Sequence, residues 1–412
     1  MTTETLRAYG ARLVARSTLL GPAFVAAVAY VDPGNVATNM TGGARYGYLL
    51  VWVVVSASIM AGLVQYLSAK LGLVTGLSLP EVLGARLPRA ARLPYWLQAE
   101  AVAVSTDLAE VVGGAIALYL LFDLPLLAGG VITAVVSLLL LVVRDQRGQR
   151  TFEQVVTGLL LIIACGFMAG LFVDPPDPGA AAGGLIPAFE GSGSVLLAAG
   201  ILGATVMPHA VYLHSALARD RHGGPERGDR KEILAVTRAD IGIAMLLAGA
   251  VNVSMLLLAA SALHGSAGTD TLEGAHAAIG ANLGTGIALL FALGLLCSGL
   301  ASTSVGCYAG AVIMQGLLRR RIPLLLRRLV TALPALVVLA LGIDPTGALV
   351  ISQVVLSMGI PFALVPLVIF TARRSVVGTH VNKPVTTVLA ILVAAAIIVL
   401  NVALLYLTFT GR

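Results

Sequence analysis

Charge is the scarcest property of this 412-residue chain: Asp, Glu, Lys and Arg make up 11% of it, against 58% hydrophobic residues and a mean hydropathy of +0.95. That balance excludes a soluble globular domain. Cysteine is almost missing as well, and Cys165, Cys297 and Cys307 all fall inside apolar runs at spacings unsuited to a metal cluster. They read as small buried packing residues. No H-E-x-x-H helix and no G-x-S-x-G elbow occurs, so the signatures of an intramembrane hydrolase are missing and the chain does not read as an enzyme. Long polar linkers and low-complexity tracts are absent too, which leaves one membrane domain spanning 1–412.

What the chain has instead is apolar runs. Eleven of them, near 18–39, 47–69, 94–121, 125–143, 154–173, 192–217, 238–262, 284–316, 323–342, 346–370 and 385–408, are each long enough to cross about 30 Å of hydrocarbon. This is an all-α polytopic membrane protein with a lipid bilayer as its solvent. The first run is a full span rather than a cleavable leader. Before it, Leu6, Leu13, Arg7, Arg12 and Arg16 suggest a short interfacial helix.

Basic residues are distributed with one bias. All 26 Lys and Arg except Arg45 and Arg412 fall in the stretch before the first span or after an even-numbered one. The positive-inside rule then places the N-terminus in the cytoplasm and the C-terminus outside, in a cytoplasmic (inner) membrane. The net charge of +6 is thereby explained by topology, and no nucleic-acid partner is implied. Asp123, Asp174, Asp177, Glu190, Asp270, Glu273 and Asp344 gather on the other side. They either concentrate external cations or simply solvate short loops.

Two spans are broken by proline. Pro33, in Asp32-Pro33-Gly34-Asn35, and Pro208, in Met207-Pro208-His209, each remove a backbone donor, so the carbonyls of Ala29 and Ala204 lose their helical partners. The same number of residues separates Ala29 from Ala204, Asp32 from Met207 and Pro33 from Pro208. Matching breaks in two halves are the best sequence pointer to a transporter's binding site. Each half holds an odd number of spans, five in 18–173 and five in 192–370, so the second is inserted upside down: a 5+5 inverted repeat with broken helices 1 and 6, followed by an eleventh helix at 385–408. Span eight is rich in Gly and Ser and reads as a close-packing surface. Asp344-Pro345 reads as a plain helix start.

Asp32 sits inside the first span, where an ionised carboxylate must be paired, hydrated or bound to a cation. A surface turn is the competing reading, but it would end the span after too few apolar residues. Asn35, three positions on, can bring its amide oxygen to the same point. Met207 alone would be a packing residue; beside a break opposite Asp32 it becomes a candidate soft ligand. Carboxylate, amide, carbonyl and thioether together favour first-row transition divalents such as manganese and iron, and softer ions such as cadmium, over magnesium and calcium. Gln353 in span ten could add an oxygen or make an interhelical hydrogen bond.

Glu100, Asp107 and Glu110 repeat along one stripe of span three, which suggests a proton path beside the metal. Ion pairs with Arg327 and Arg328 are the alternative, and both can hold at once. His209 reads as a proton-handling residue rather than a ligand, and His214, further along, is a weaker candidate.

At these residues the chain resembles the natural resistance-associated macrophage protein (Nramp) family of divalent metal transporters. Asp32-Pro33-Gly34-Asn35, Met207-Pro208-His209 and Thr106-Asp107-Leu108-Ala109-Glu110 carry the likeness, which runs from the first span through the tenth. The resemblance implies a leucine-transporter-like fold and uptake of manganese or ferrous iron coupled to protons by alternating access. There is then no resident cofactor: the metal is the transported substrate and H+ the co-substrate. Carried over, it makes Asp32, Asn35, Met207 and the Ala29 and Ala204 carbonyls metal ligands, with Gln353 joining in some states. Asp107, Glu110, Arg327 and Arg328, with Glu100 and His209, match its proton pathway, and Asp32 is also a candidate for the first proton. Retention of methionine argues against magnesium or aluminium as substrate. Protein partners are not indicated. Two other readings compete: a sodium-coupled amino-acid symporter of the same architecture, whose substrate carboxylate Asp32 would repel, and an uncoupled metal channel.

Overall fold

A computed structural model describes residues 21–222, 230–320 and 323–410. The expected interfacial segment around Leu6 to Arg16 lies outside the described residues. Because lipid offers backbone groups no partners, the apolar runs become helices that satisfy their own hydrogen bonds. Each of the eleven expected spans coincides with helix, interrupted inside the first at Asp32 and inside the sixth at Val206 and Met207.

The chain begins with α1 (Pro22–Val28), a single 3-10 turn at Ala29–Val31 and, past Asp32, α2 (Pro33–Tyr46). Then follow α3 (Val51–Thr75), α4 (Leu79–Arg86), α5 (Arg89–Phe122), α6 (Leu126–Arg147) and α7 (Gln149–Met168). The second half runs through α8 (Gly191–Thr205), α9 (Pro208–His222), α10 (Arg230–Ala262), α11 (Leu272–Leu283), α12 (Thr285–Leu318), α13 (Leu324–Ala340) and α14 (Pro345–Ala372). Last comes α15 (Pro384–Thr410). Among the described residues, eight helical runs are long and apolar enough to cross a membrane; Pro22–Val31 and Leu126–Leu140 are shorter apolar helices.

Two helices of eight or more residues escaped the sequence reading. Both α4 and α11 are short and mixed in polarity, so neither registers as an apolar run. Each is set by its cap: Ser78 and Glu81 form a capping box at α4, and Thr271 accepts from the Gly274 amide at 3.1 Å to start α11. Asp344 caps α14 as expected, accepting from the amides of Thr346 and Gly347.

The core forms where small residues let helices close on one another. A Cβ on Gly299 would stand 3.1 Å from the Glu110 carbonyl oxygen, so α12 lies directly against α5. Around this core runs a belt of exposed Ile59, Leu161, Leu246 and Leu392, the surface that acyl chains cover. Cys307 is buried as expected and Cys297 partly so, but Cys165 is exposed on α7. A small apolar thiol costs little against lipid, so no burial was required of it.

Candidate metal and proton site

Both helices break where the sequence places the prolines. At the first, Asp32 adopts an extended backbone (φ −69°, ψ 168°), and its side chain caps α2. Asp32 Oδ1 accepts from the Asn35 backbone amide and from Asn35 Nδ2, each at 2.8 Å. Oδ2 is buried without a hydrogen-bond partner. At the second break, α8 ends at Thr205, Val206 turns out of the helix (φ −103°, ψ 58°), and Pro208 opens α9.

One side chain ties the two breaks together. Asn35 Nδ2 also donates to the Ala204 carbonyl at 2.9 Å, while Thr205 Oγ1 lies 3.4 Å from Asn35 Oδ1. Asp32 and the freed Ala204 carbonyl therefore converge on one point, occupied by the Asn35 amide nitrogen. The expected orientation had the amide oxygen there. Two acceptors facing each other draw the donor end of the amide. A half-turn of that amide would present its oxygen instead.

Met207 and Gln353 are fully buried near the same breaks. Gln353 Nε2 donates to Ser352 Oγ at 3.1 Å, and its Oε1 has no hydrogen-bond partner. Its amide lies on Gly34 so closely that a Cβ there would overlap it, which puts Gln353 against the first turn of α2. Among the described residues, no three His, Cys, Asp or Glu side chains are grouped to hold a metal. A cation at the breaks would have to rely on the mixed donors just described.

Acids and bases line α5 beside the breaks. Arg327 pairs with Glu100 at 2.9 Å and Arg328 with Asp107 at 2.8 Å, the second pair almost wholly buried. Both carboxylate oxygens of Glu110 are buried without hydrogen-bond partners, and the charges facing it are Asp107, Arg328 and Asp32. Glycine makes this lane possible: Gly306 packs on the Glu110 carboxylate, and Gly310 leaves room for the Arg327 guanidinium. From Glu100 to Glu110 the helix rises about 15 Å, so the acids reach from the breaks through roughly half a bilayer core. His209 joins part-way along, its Nδ1 3.2 Å from Thr106 Oγ1. His214 does not: its Nδ1 meets Gln65 Oε1 at 2.6 Å, and Gln65 donates onward to the Tyr30 hydroxyl.

Sequence reasoning missed the residues that hold the first break open. Asn252 Nδ2 donates to the Tyr30 carbonyl at 2.6 Å while accepting from Asn39, and Ser298 Oγ donates to the Val31 carbonyl at 2.6 Å. These carbonyls lose helical partners at the break, so each needs a donor from a neighbouring helix. Buried amides inside apolar spans, Asn252 and Gln65 among them, were the available signal.

The profile of the natural resistance-associated macrophage protein-like family matches residues 23–407. The chain belongs to this family. The divalent metal cation transporter MntH of Mycobacterium tuberculosis is 62% identical over 394 residues, covering 95% of this chain and 92% of its own length. Its namesake in Bacillus subtilis is 48% identical over 393 residues, with 95% and 92% coverage. Among solved structures, the manganese transporter of Eremococcus coleocola superposes with a TM-score of 0.83 at 33% identity, covering 93% of this chain and 85% of that one. Mhp1, of the nucleobase-cation-symport-1 family, and MhsT in complex with L-phenylalanine share the fold at 14% identity, with TM-scores of 0.56 and 0.57. The architecture of this Nramp chain is thus leucine-transporter-like.

Proposed function

We propose that this protein imports divalent transition-metal ions, manganese or ferrous iron and softer ions such as cadmium, together with protons by alternating access. Asp32, Asn35, Met207, Gln353 and the Ala29 and Ala204 carbonyls hold the metal. Protons leave along Glu110, Asp107 and Glu100 beside His209, released against Arg328 and Arg327, with Asp32 as the entry point. His214 serves the Gln65–Tyr30 contact instead. Supporting the reading are relatives named divalent metal cation transporters and a solved neighbour named a manganese transporter. The observation that carries it is the convergence of Asp32 Oδ1 and the Ala204 carbonyl across two helix breaks, with an unpartnered Asp32 Oδ2 alongside. Opposed half-helices around fixed acceptors are how carriers build a cation site.

The topology follows from the basic loops: a cytoplasmic membrane, N-terminus inside and C-terminus outside, with 18–173 and 192–370 as inverted repeats. The decisive experiment is flux into proteoliposomes of manganese, iron, cadmium, magnesium and calcium in parallel, with internal pH recorded. Manganese, iron and cadmium should enter and acidify the lumen, and magnesium and calcium should not. Entry of manganese with no change in lumenal pH would sink the coupling. Entry of an amino acid with sodium, and of no metal, would sink the whole reading.

A further inference from the structure

Away from the breaks, α3 and α10 border a cavity where they meet the segment joining α14 to α15. It measures about 410 Å³ and is lined by Tyr66, Lys70, Arg238, His380, Asn382 and Lys383 among others. Its charge has one sign. Among the described residues, no carboxylate pairs with Lys70, Arg238 or Lys383, although Lys70 and Arg238 repel one another as like charges.

Two of the cations are held in place, and Lys383 lines the cavity beside them. Lys70 is only 5% exposed, and its Nζ donates to Asn382 Oδ1 at 2.7 Å. Asn382 is itself fixed: its backbone amide donates to the Thr371 carbonyl at 3.1 Å and its Nδ2 to Thr371 Oγ1 at 2.9 Å. Arg238 lies over the Tyr66 ring, 5.0 Å from its centroid, and donates to the Tyr66 hydroxyl at 2.8 Å. An ammonium has three donors and a guanidinium five, so both retain donors for an anion. Holding unpaired like charges together has a cost that an anionic ligand would relieve.

A second, independent feature continues from the first. Starting at Leu63, which borders both, an apolar groove of about 500 Å³ runs between the same two helices past Ile59, Gly62, Gly242, Leu246 and Gly249. Missing side chains shape it: a Cβ on Gly242 would have no other atom within 4 Å. Ile59 and Leu246, at 71% and 75% exposed, mark the groove as part of the lipid-facing belt. A basic cavity with an apolar groove attached matches the two parts of one molecule.

We infer that α3, α10 and the α14–α15 connection form a binding site for an anionic phospholipid, its phosphate on Lys70, Arg238 and Lys383 and an acyl chain between α3 and α10. All three cations belong to the basic set that assigns this side to the cytoplasm, the leaflet where anionic lipids act on basic protein surfaces. A soluble phosphate would share the polar contacts and leave the groove unused.

The test uses the full-length protein in detergent, titrated with phosphatidylglycerol or phosphatidylcholine and read as retained lipid by mass spectrometry of the intact protein. Phosphatidylglycerol should bind in preference to phosphatidylcholine. Removing two cations in the Arg238→Ala/Lys383→Ala double variant should weaken it about thirtyfold, at ~1 kcal/mol for each basic side chain. Both side chains are exposed, so folding tolerates their loss. Gly242→Leu fills the groove without touching a charge and should weaken binding several-fold, and inorganic phosphate should not compete. Equal retention of the two lipids would overturn the site. Full competition by inorganic phosphate, with wild-type binding in Gly242→Leu, would overturn the lipid and leave a soluble anion.

Discussion

The two helix breaks have the same proline and opposite chemistry. At the first, Asp32 supplies a charge, caps its own helix and fixes Asn35. At the second, Met207 in the matching position supplies a buried thioether, and the Ala204 carbonyl and the Thr205 hydroxyl reach across to Asn35. In the proposed site one half would neutralise the cation while the other would discriminate among cations, because charge attracts every divalent ion and sulfur only the softer ones. Symmetry of architecture does not require symmetry of donors.

Asp32→Asn tests that division hardest. Asparagine caps a helix about as well as aspartate, so α2 should survive, while the site loses its only carboxylate. Metal transport should fall to background with little change in thermal stability; transport near the wild-type rate would place the charge elsewhere. Next in size are Asp107→Asn and Glu110→Gln, which act on the lane rather than the breaks. Each should lower protons moved per manganese far more than manganese affinity, measured by lumenal pH and by metal titration. Parallel loss of both would move these carboxylates into the metal site.

Met207→Ala should keep part of manganese transport and lose discrimination against calcium and magnesium, by about tenfold for a lost soft contact. Truncating a buried methionine also destabilises by about 2–5 kcal/mol. Met207→Leu keeps the volume and removes only the sulfur, so it should show the same loss of selectivity with a smaller loss of stability. Unchanged selectivity in both variants would end the thioether's role.

The breaks were legible because proline and a charge inside an apolar run leave few physical options. Arg327 and Arg328 were legible for the same reason, since buried acids call for cations, and both pairs formed. The orientation of Asn35 was not. Its terminal torsion is set by two acceptors together, Asp32 Oδ1 three residues away and the Ala204 carbonyl 169 residues away, and the second is invisible to local spacing. The Tyr30–Gln65–His214 contact and the Asn252 bond to Tyr30 likewise join helices remote in sequence. A residue pattern reports which groups need partners, but not which partner arrives.

The smallest effect separates the breaks by what packs against their glycines. Gly34 beside the first break faces the amide end of the Gln353 side chain, a flexible neighbour that can swing aside. Gly203 beside the second faces the Gln353 backbone carbonyl, with the Ser357 amide nitrogen 2.8 Å from where a Cβ would sit. Backbone cannot yield without moving α14. Gly203→Ala should therefore destabilise the protein by about 1–3 kcal/mol, the usual cost of overpacking, seen as a lower Tm in detergent. Gly34→Ala should lower Tm less and instead displace Gln353, reducing transport with stability largely kept. Were the two variants equally unstable, the second break would be no more rigidly packed than the first, and its selectivity would rest on Met207 alone.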